Sequence, residues 1–186
     1  MLITFVVYVE NKPGVLNRVS SLFRRRAFNI DSLTVGRTEN PEESRMTIVV
    51  DTDEGGALRL EANLYKLVNV LRVDNITSKP SVVRDLAMIK VATTPETRSE
   101  LMHIVSAFRA RVVDVAAGSM VIETTGSEEK IDGLLEVLRP YGVVEMVRTG
   151  RVAMTRGPKS QPKDTSLVTA ANEIADLDDE NVSYSV

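Results

Sequence analysis

The sequence predicts an α+β protein: two copies of one βαββαβ unit followed by an acidic tail. Three observations carry this. Strand-type alternation and helix-type stripes succeed one another in one order, and that order then repeats. The segment Lys79-Pro80-Ser81 separates the two runs as a short linker. Residues 158–186 abandon both periodicities, with two prolines, six acidic residues and few large apolar ones. The domains that follow are 1–79 and 84–157, with 158–186 reading as a disordered tail in which only Leu167–Ala175 has helical character. Of the 186 residues, 43% are hydrophobic, so each copy can bury a small core.

Each element has a local reason. Leu2–Val9 alternates, with Ile3, Phe5, Val7 and Val9 on one face. Asn11-Lys12-Pro13-Gly14 is a turn that opens a helix, whose stripe is Val15, Leu16, Val19, Leu22 and Phe23. Arg24, Arg25 and Arg26 close that helix, where cations suit the dipole. A strand over 30–37 follows, then a polar loop at 38–43, then Arg45–Asp51 with Met46, Ile48 and Val50 on one side. Gly55-Gly56 reads as a break before a helix carrying Ala57, Leu60, Leu64 and Leu67, and Val70–Ile76 completes the first copy. In the second copy Leu86–Ala92 is a strand, and Thr94 caps a helix beginning at Pro95 with stripe Leu101, Ile104, Val105 and Phe108. Val112–Val115 and Met120–Glu123 flank the turn at Gly118. Ser127 caps a helix with stripe Ile131, Leu134, Leu135 and Leu138, which Pro140 ends, and Val143–Val147 is the last strand. Both copies have the split βαβ order of ferredoxin-like units.

Several chemistries are excluded. There is no cysteine, hence no disulfide, thiol nucleophile or sulfur-built zinc site. The single histidine, His103, lies off its helix's apolar stripe and reads as a solvated side chain. No serine sits in a Gly-x-Ser-x-Gly elbow, and Gly55-Gly56 lacks the lysine and spacing of a phosphate loop. Glu42-Glu43 and Glu128-Glu129 read as a loop and a helix start. Residues 1–80 carry a net charge of +1, residues 81–157 zero and residues 158–186 −4, so no broad basic footprint exists for nucleic acid. The three arginines can bind phosphate, but read first as a solvated helix end, with the stem of Arg26 packed on the stripe. No apolar run approaches the roughly 18 residues of a membrane helix, and Met1 leads straight into a strand without a leader, so the expected location is cytoplasmic.

Two spots invite a ligand. At Asn11–Leu16 a strand runs directly into a helix, whose first N–H groups lack internal partners and sit at the positive end of the dipole. That is a ready carboxylate site. Gly14 permits close approach, Asn11 offers both a donor and an acceptor, and Val15 and Leu16 can form an apolar wall. The competing reading is an ordinary helix start capped by asparagine. Asn29-Ile30-Asp31 opens the second strand, and it can complete a pocket with the first spot across a dimer interface; otherwise Asn29 is a left-handed helix terminator.

At these residues a resemblance emerges. Val9-Glu10-Asn11-Lys12-Pro13-Gly14-Val15-Leu16-Asn17-Arg18-Val19 resembles the start of an ACT domain. Together with 26–35, 44–48, 66–70, 108–115, 144–154 and Arg156-Gly157, it resembles the small, regulatory subunit family of acetolactate synthase (acetohydroxyacid synthase) over 1–157. The resemblance implies a homodimer through the first domain and a subunit without catalysis of its own. It implies a large catalytic partner carrying thiamine diphosphate, magnesium and FAD, with no cofactor on this chain. It also implies activation of that partner and feedback inhibition by valine or another branched-chain amino acid. Asn11, Gly14, Val15 and Leu16 of one chain, with Asn29 and Ile30 of its partner, are the implied effector residues, and the second domain is implied in contact with the large subunit. Two other readings share the fold: a freestanding ACT sensor, and an acylphosphatase-like enzyme, which would need an arginine in the loop 11–16. The family has glycine where this chain has Ala27, which costs about 1 kcal/mol if that residue is left-handed.

Overall fold

In the computed structural model, which describes residues 1–157, the first alternation becomes β1 (Leu2–Glu10) and the stripe that follows becomes α1 (Val15–Arg25). Next come β2 (Ile30–Arg37), β3 (Glu43–Asp51), α2 (Glu54–Tyr65) and β4 (Val70–Asn75). The sheet order is β2-β3-β1-β4, with every neighbouring pair antiparallel. β1 is therefore central, and Phe5, Val7 and Val9 on its helix-facing side are buried with Val19, Phe23, Ile48, Leu60 and Leu64. Residues Met1–Ser81, with the described residues from Thr155 on, form one compact unit and Val82–Met154 another.

The second unit contains β5 (Ser81–Ala92), α3 (Arg98–Ala107), β6 (Arg111–Val115), β7 (Ser119–Gly126), α4 (Glu128–Leu138) and β8 (Val143–Arg148). Its order, β6-β7-β5-β8, repeats that of the first. Ile89, Val91, Leu101, Val105, Ile122, Leu134 and Leu138 form its core. The repeat is geometric as well as topological. Positions 82 residues apart share backbone irregularities: the ladder shifts at Tyr8/Val9 and at Lys90/Val91, and again at Ile30/Ser32 and at Val112/Asp114.

Several local expectations are corrected. Gly55 and Gly56 lie inside the first turn of α2, because Asp53 accepts a 2.6 Å bond from the Gly56 N–H and starts the helix ahead of them. Gly56 is required there, since a Cβ would lie 2.1 Å from Thr52 Oγ1 and 3.4 Å from the Phe28 ring. Leu67 falls beyond α2, though it still packs against the first core. α3 begins at Arg98, three residues past Pro95. In the turn before it Thr94 and Thr97 exchange side chain–backbone bonds, Thr94 N–H to Thr97 Oγ1 at 2.9 Å and Thr97 N–H to Thr94 Oγ1 at 3.3 Å. Ser127 occupies the N-cap of α4, but its hydroxyl bonds the Glu129 carboxylate and caps no backbone N–H of the helix. β5 starts earlier than expected, at Ser81. A ninth strand, β9 (Val152–Thr155), pairs with β5; it is only four residues long, so it shows no periodicity. The tail expected at 158–186 lies outside the described residues.

Both first helices close in the same way. Ala27 has φ 56°, with Phe28 N–H bonded to Phe23 O at 3.0 Å; Arg109 has φ 51°, with Ala110 N–H bonded to Val105 O at 2.9 Å. The left-handed residue after α1 is thus Ala27, and Asn29 is not the terminator. Arg26 is the C-cap and is exposed, so its stem does not join the stripe.

A left-handed non-glycine residue is strained by about 1 kcal/mol. Ala27→Gly and Arg109→Gly should each raise stability by roughly that amount, read as a higher urea midpoint at unchanged slope. An unchanged midpoint in both would show that the helix ends carry no such strain.

Candidate functional site

The chain leaves central strand β1 at Glu10 and must reverse to lay α1 back over the sheet. Pro13 and Gly14 make that reversal. Gly14 is the N-cap residue, at φ 84° and ψ −8°, and its carbonyl accepts the first helical bond from Arg18 N–H at 3.0 Å. No side chain caps α1, no acidic residue occupies its first turn, and nothing lies within 4 Å of where a Gly14 Cβ would stand. The helix start is therefore open, with its dipole uncompensated.

Asn11 does not cap α1. Its Nδ2 donates to Pro41 O at 2.8 Å, its Oδ1 accepts from Ser44 Oγ at 3.1 Å, and its N–H donates to Glu42 O at 2.7 Å. The side chain is exposed and ties the turn to the loop before β3; one amide hydrogen and one lone pair remain for a ligand. Val15 turns into the core at 4% exposure, whereas Leu16 is 43% exposed. Of the expected apolar wall, Leu16 is the part that faces outward.

Asn29 and Ile30 lie at the opposite end of the unit. Ile30 pairs with Val50, which pairs with Ile3, whereas Arg37 pairs with Ser44, which pairs with Val9. The eleven residues of α1 span about 16 Å between the two spots. One chain alone does not bring them together. Asn29 is exposed, and Ile30 packs in part on the first core.

A cluster of four side chains around the turn escapes a motif reading. Asn69 Nδ2 donates to a Glu10 carboxylate oxygen, Asn69 Oδ1 accepts from the Arg18 guanidinium, and Lys12 Nζ lies 3.2 Å from Glu10 Oε1. The bond from Asn69, with Lys12 beside it, holds the Glu10 carboxyl below the usual carboxylate range. The cluster joins the end of β1, the first turn of α1 and the approach to β4. The signal for it was strand register, because Val9 faces Val70 and so sets Asn69 beside Glu10.

The second unit has the same turn with different chemistry. Pro95 lies 82 residues after Pro13, and Glu96 stands where the first unit has Gly14. A hydrogen bond from Thr94 and one from the backbone keep the Glu96 carboxyl low, so a negative charge stands just ahead of the N-cap Thr97, and Glu100 adds another in the first turn. A cavity of about 520 Å³ opens beside it, lined by Ala92, Thr93, Thr97, Gly118 and Tyr141 among others. By contrast, no acidic residue occupies the first turn of α1. Among the described residues, no group of three or more acidic or histidine side chains could hold a metal ion, and no helix is long and apolar enough to cross a membrane.

Paired βαββαβ units, the first matching an ACT-domain model, place the chain in the ACT-domain class. Residues 5–72 match the model described as the AHAS small subunit-like ACT domain, and residues 84–157 that of the small subunit of acetolactate synthase. The chain is 50% identical over 156 residues to the probable acetolactate synthase small subunit of Archaeoglobus fulgidus, covering 84% of this chain and 98% of that one. It is 49% identical to the Mycolicibacterium smegmatis small subunit, covering 84% and 92%. The crystal structure of the acetolactate synthase small subunit from Thermotoga maritima superposes with a TM-score of 0.80 at 37% identity, covering 86% of this chain and 99% of that one. The chain belongs to the acetolactate synthase small-subunit family.

The Glu10 cluster gives a pH-dependent expectation. A carboxyl held low by the fold adds stability above its unfolded pKa, and that stability is lost as pH falls through the folded value. Asn69→Ala should move the Glu10 titration upward toward the ordinary carboxylate range and reduce the loss of stability in acid. Carboxyl-carbon NMR reads the titration directly, and an unmoved Glu10 midpoint would mean that Asn69 does not hold it.

Proposed function

We propose that this chain is the non-catalytic regulatory subunit of a cytoplasmic acetolactate synthase. It activates the thiamine-diphosphate-dependent large subunit and makes it sensitive to feedback by valine or a related branched-chain amino acid. The cofactors, thiamine diphosphate with magnesium and FAD, belong to the large subunit. The observation that carries this reading is the open start of α1 at Gly14, combined with membership of the family.

The effector's carboxylate sits on the uncompensated N–H groups of the first turn of α1. Its ammonium and carboxylate share the remaining hydrogen-bonding capacity of Asn11, and Leu16 contacts its branched side chain. Asn29 and Ile30 come from the partner chain. The separation of the two spots along α1 supports this division, since a single pocket needs residues from both ends of the unit. β2 lies at the edge of its sheet, so its free backbone groups suit pairing with a second copy.

Gly14→Asp should abolish valine inhibition of the reconstituted enzyme while activation persists, because a second carboxylate would meet the effector's own. Gly14→Ala carries the same backbone strain without the charge and should lose less. Equal inhibition of wild type and Gly14→Asp would remove Gly14 from the site.

The shared pocket has its own test. Asn29→Ala should weaken valine binding about ten- to a hundredfold, the worth of hydrogen bonds to a charged ligand. Mixing Asn11→Ala chains with Asn29→Ala chains yields heterodimers with one doubly altered pocket and one intact pocket. Calorimetry should then find tight sites that neither homodimer shows. No recovery after verified subunit exchange would rule out a pocket built from two chains.

A further inference from the structure

α1 ends in Arg24, Arg25 and Arg26, all exposed, and among the described residues no hydrogen bond or ion pair engages their side chains. Two nearby carboxylates have partners of their own. Asp51 Oδ1 holds the Met1 ammonium at 2.8 Å, and Asp53 caps α2 through Gly56. Asp31 and Glu54 remain exposed at this end and offset the patch only in part.

The described chain finishes at the same end of the first unit. α1 runs back along β1, so the arginines lie at the Ile3 end of the sheet, where Ile30 pairs with Val50 and Val50 with Ile3. Ile76 N–H donates to Thr4 O at 3.0 Å, which sets the exit of β4 at that end too. Lys79 N–H bonds Ile76 O at 3.1 Å, and Arg156 N–H bonds Pro80 O at 2.8 Å, one residue before Gly157. A four-stranded sheet is about 15 Å across.

The segment beyond 157 contains Asp176, Asp178, Asp179 and Glu180, four carboxylates within five positions. Eighteen residues lie between Gly157 and Asp176, an extended reach of about 60 Å and several times the width of the sheet. We infer that the acidic run 176–180 of this chain docks on the Arg24–Arg26 patch of its own first unit. Charge complementarity selects the patch, and the tether supplies a high local concentration of the acidic run. The contact is between exposed charges, so added salt weakens it.

The chain has no cysteine, so Ser183→Cys gives one attachment point for a spin label on the full-length protein. In about 50 mM salt the label should move slowly, and in about 0.5 M salt it should be freed severalfold, as the shorter Debye length requires. Arg24→Gln, Arg25→Gln and Arg26→Gln together should free it at low salt. Glutamates at the three arginine positions should do the same, and Asp176→Lys, Asp178→Lys and Asp179→Lys combined with them should slow it again. Circular dichroism shows whether each variant keeps its fold, and the glutamine set retains the test if the glutamate set does not. A label equally mobile in wild type and the triple glutamine variant overturns the inference. So does a slow label indifferent to the arginines, which would place the run elsewhere. Slowing seen only after the large subunit is added also overturns it, because the patch then serves another protein.

Discussion

Everything in the first unit depends on the central position of β1. Its ladders to β3 and β4 and its buried Phe5, Val7 and Val9 hold the strand so firmly that the chain can leave the sheet only at Glu10. From there the amphipathic stripe of α1 must return to cover the same core. The reversal takes place within a few residues, and a left-handed Gly14 is its cheapest solution. An uncapped helix start is the by-product, and it is chemically the most useful feature of the unit. The site thus follows from a packing requirement.

The second unit shows how little has to change for that feature to disappear. The backbone repeats down to its ladder shifts and its strained helix ends, yet Glu96 places a carboxylate just ahead of α3 and Glu100 another in its first turn. The topology is common to both copies, and the charge around the helix start differs between them. The second unit uses a different device: Asp85 Oδ2, on a side chain 3% exposed, accepts from Arg148 Nε at 2.7 Å and lies within ion-pair distance of Arg148 Nη2, joining β5 to β8. A buried carboxylate with such a partner fixes strand pairing more than it adds stability.

Around the first turn, polar side chains act as braces. Asn11 secures the loop before β3, and Asn69 connects Glu10 to Arg18. Each brace joins segments far apart in sequence, so the open helix start has a defined shape before any ligand arrives. Preorganisation of this kind lowers the ordering cost of binding.

By itself the sequence determined the two-unit α+β architecture, since alternation and stripe are local consequences of which faces must be buried. It also marked the reversal at Asn11–Leu16, because a strand meeting a helix through Pro13-Gly14 has few conformations open to it. Tertiary structure decided what local pattern could not. Val15 and Leu16 are adjacent in one stripe, yet packing buried the first and exposed the second. Asn11, with equal claim to cap the helix, was drawn instead to Pro41 and Ser44, because β3 lies beside β1. β9 exists only because β5 offers it an edge, and Gly55-Gly56 joined α2 because Asp53 capped the helix ahead of them. Helix and strand periods are written within a few residues, whereas caps, braces and edge strands are settled by neighbours that the fold alone brings together.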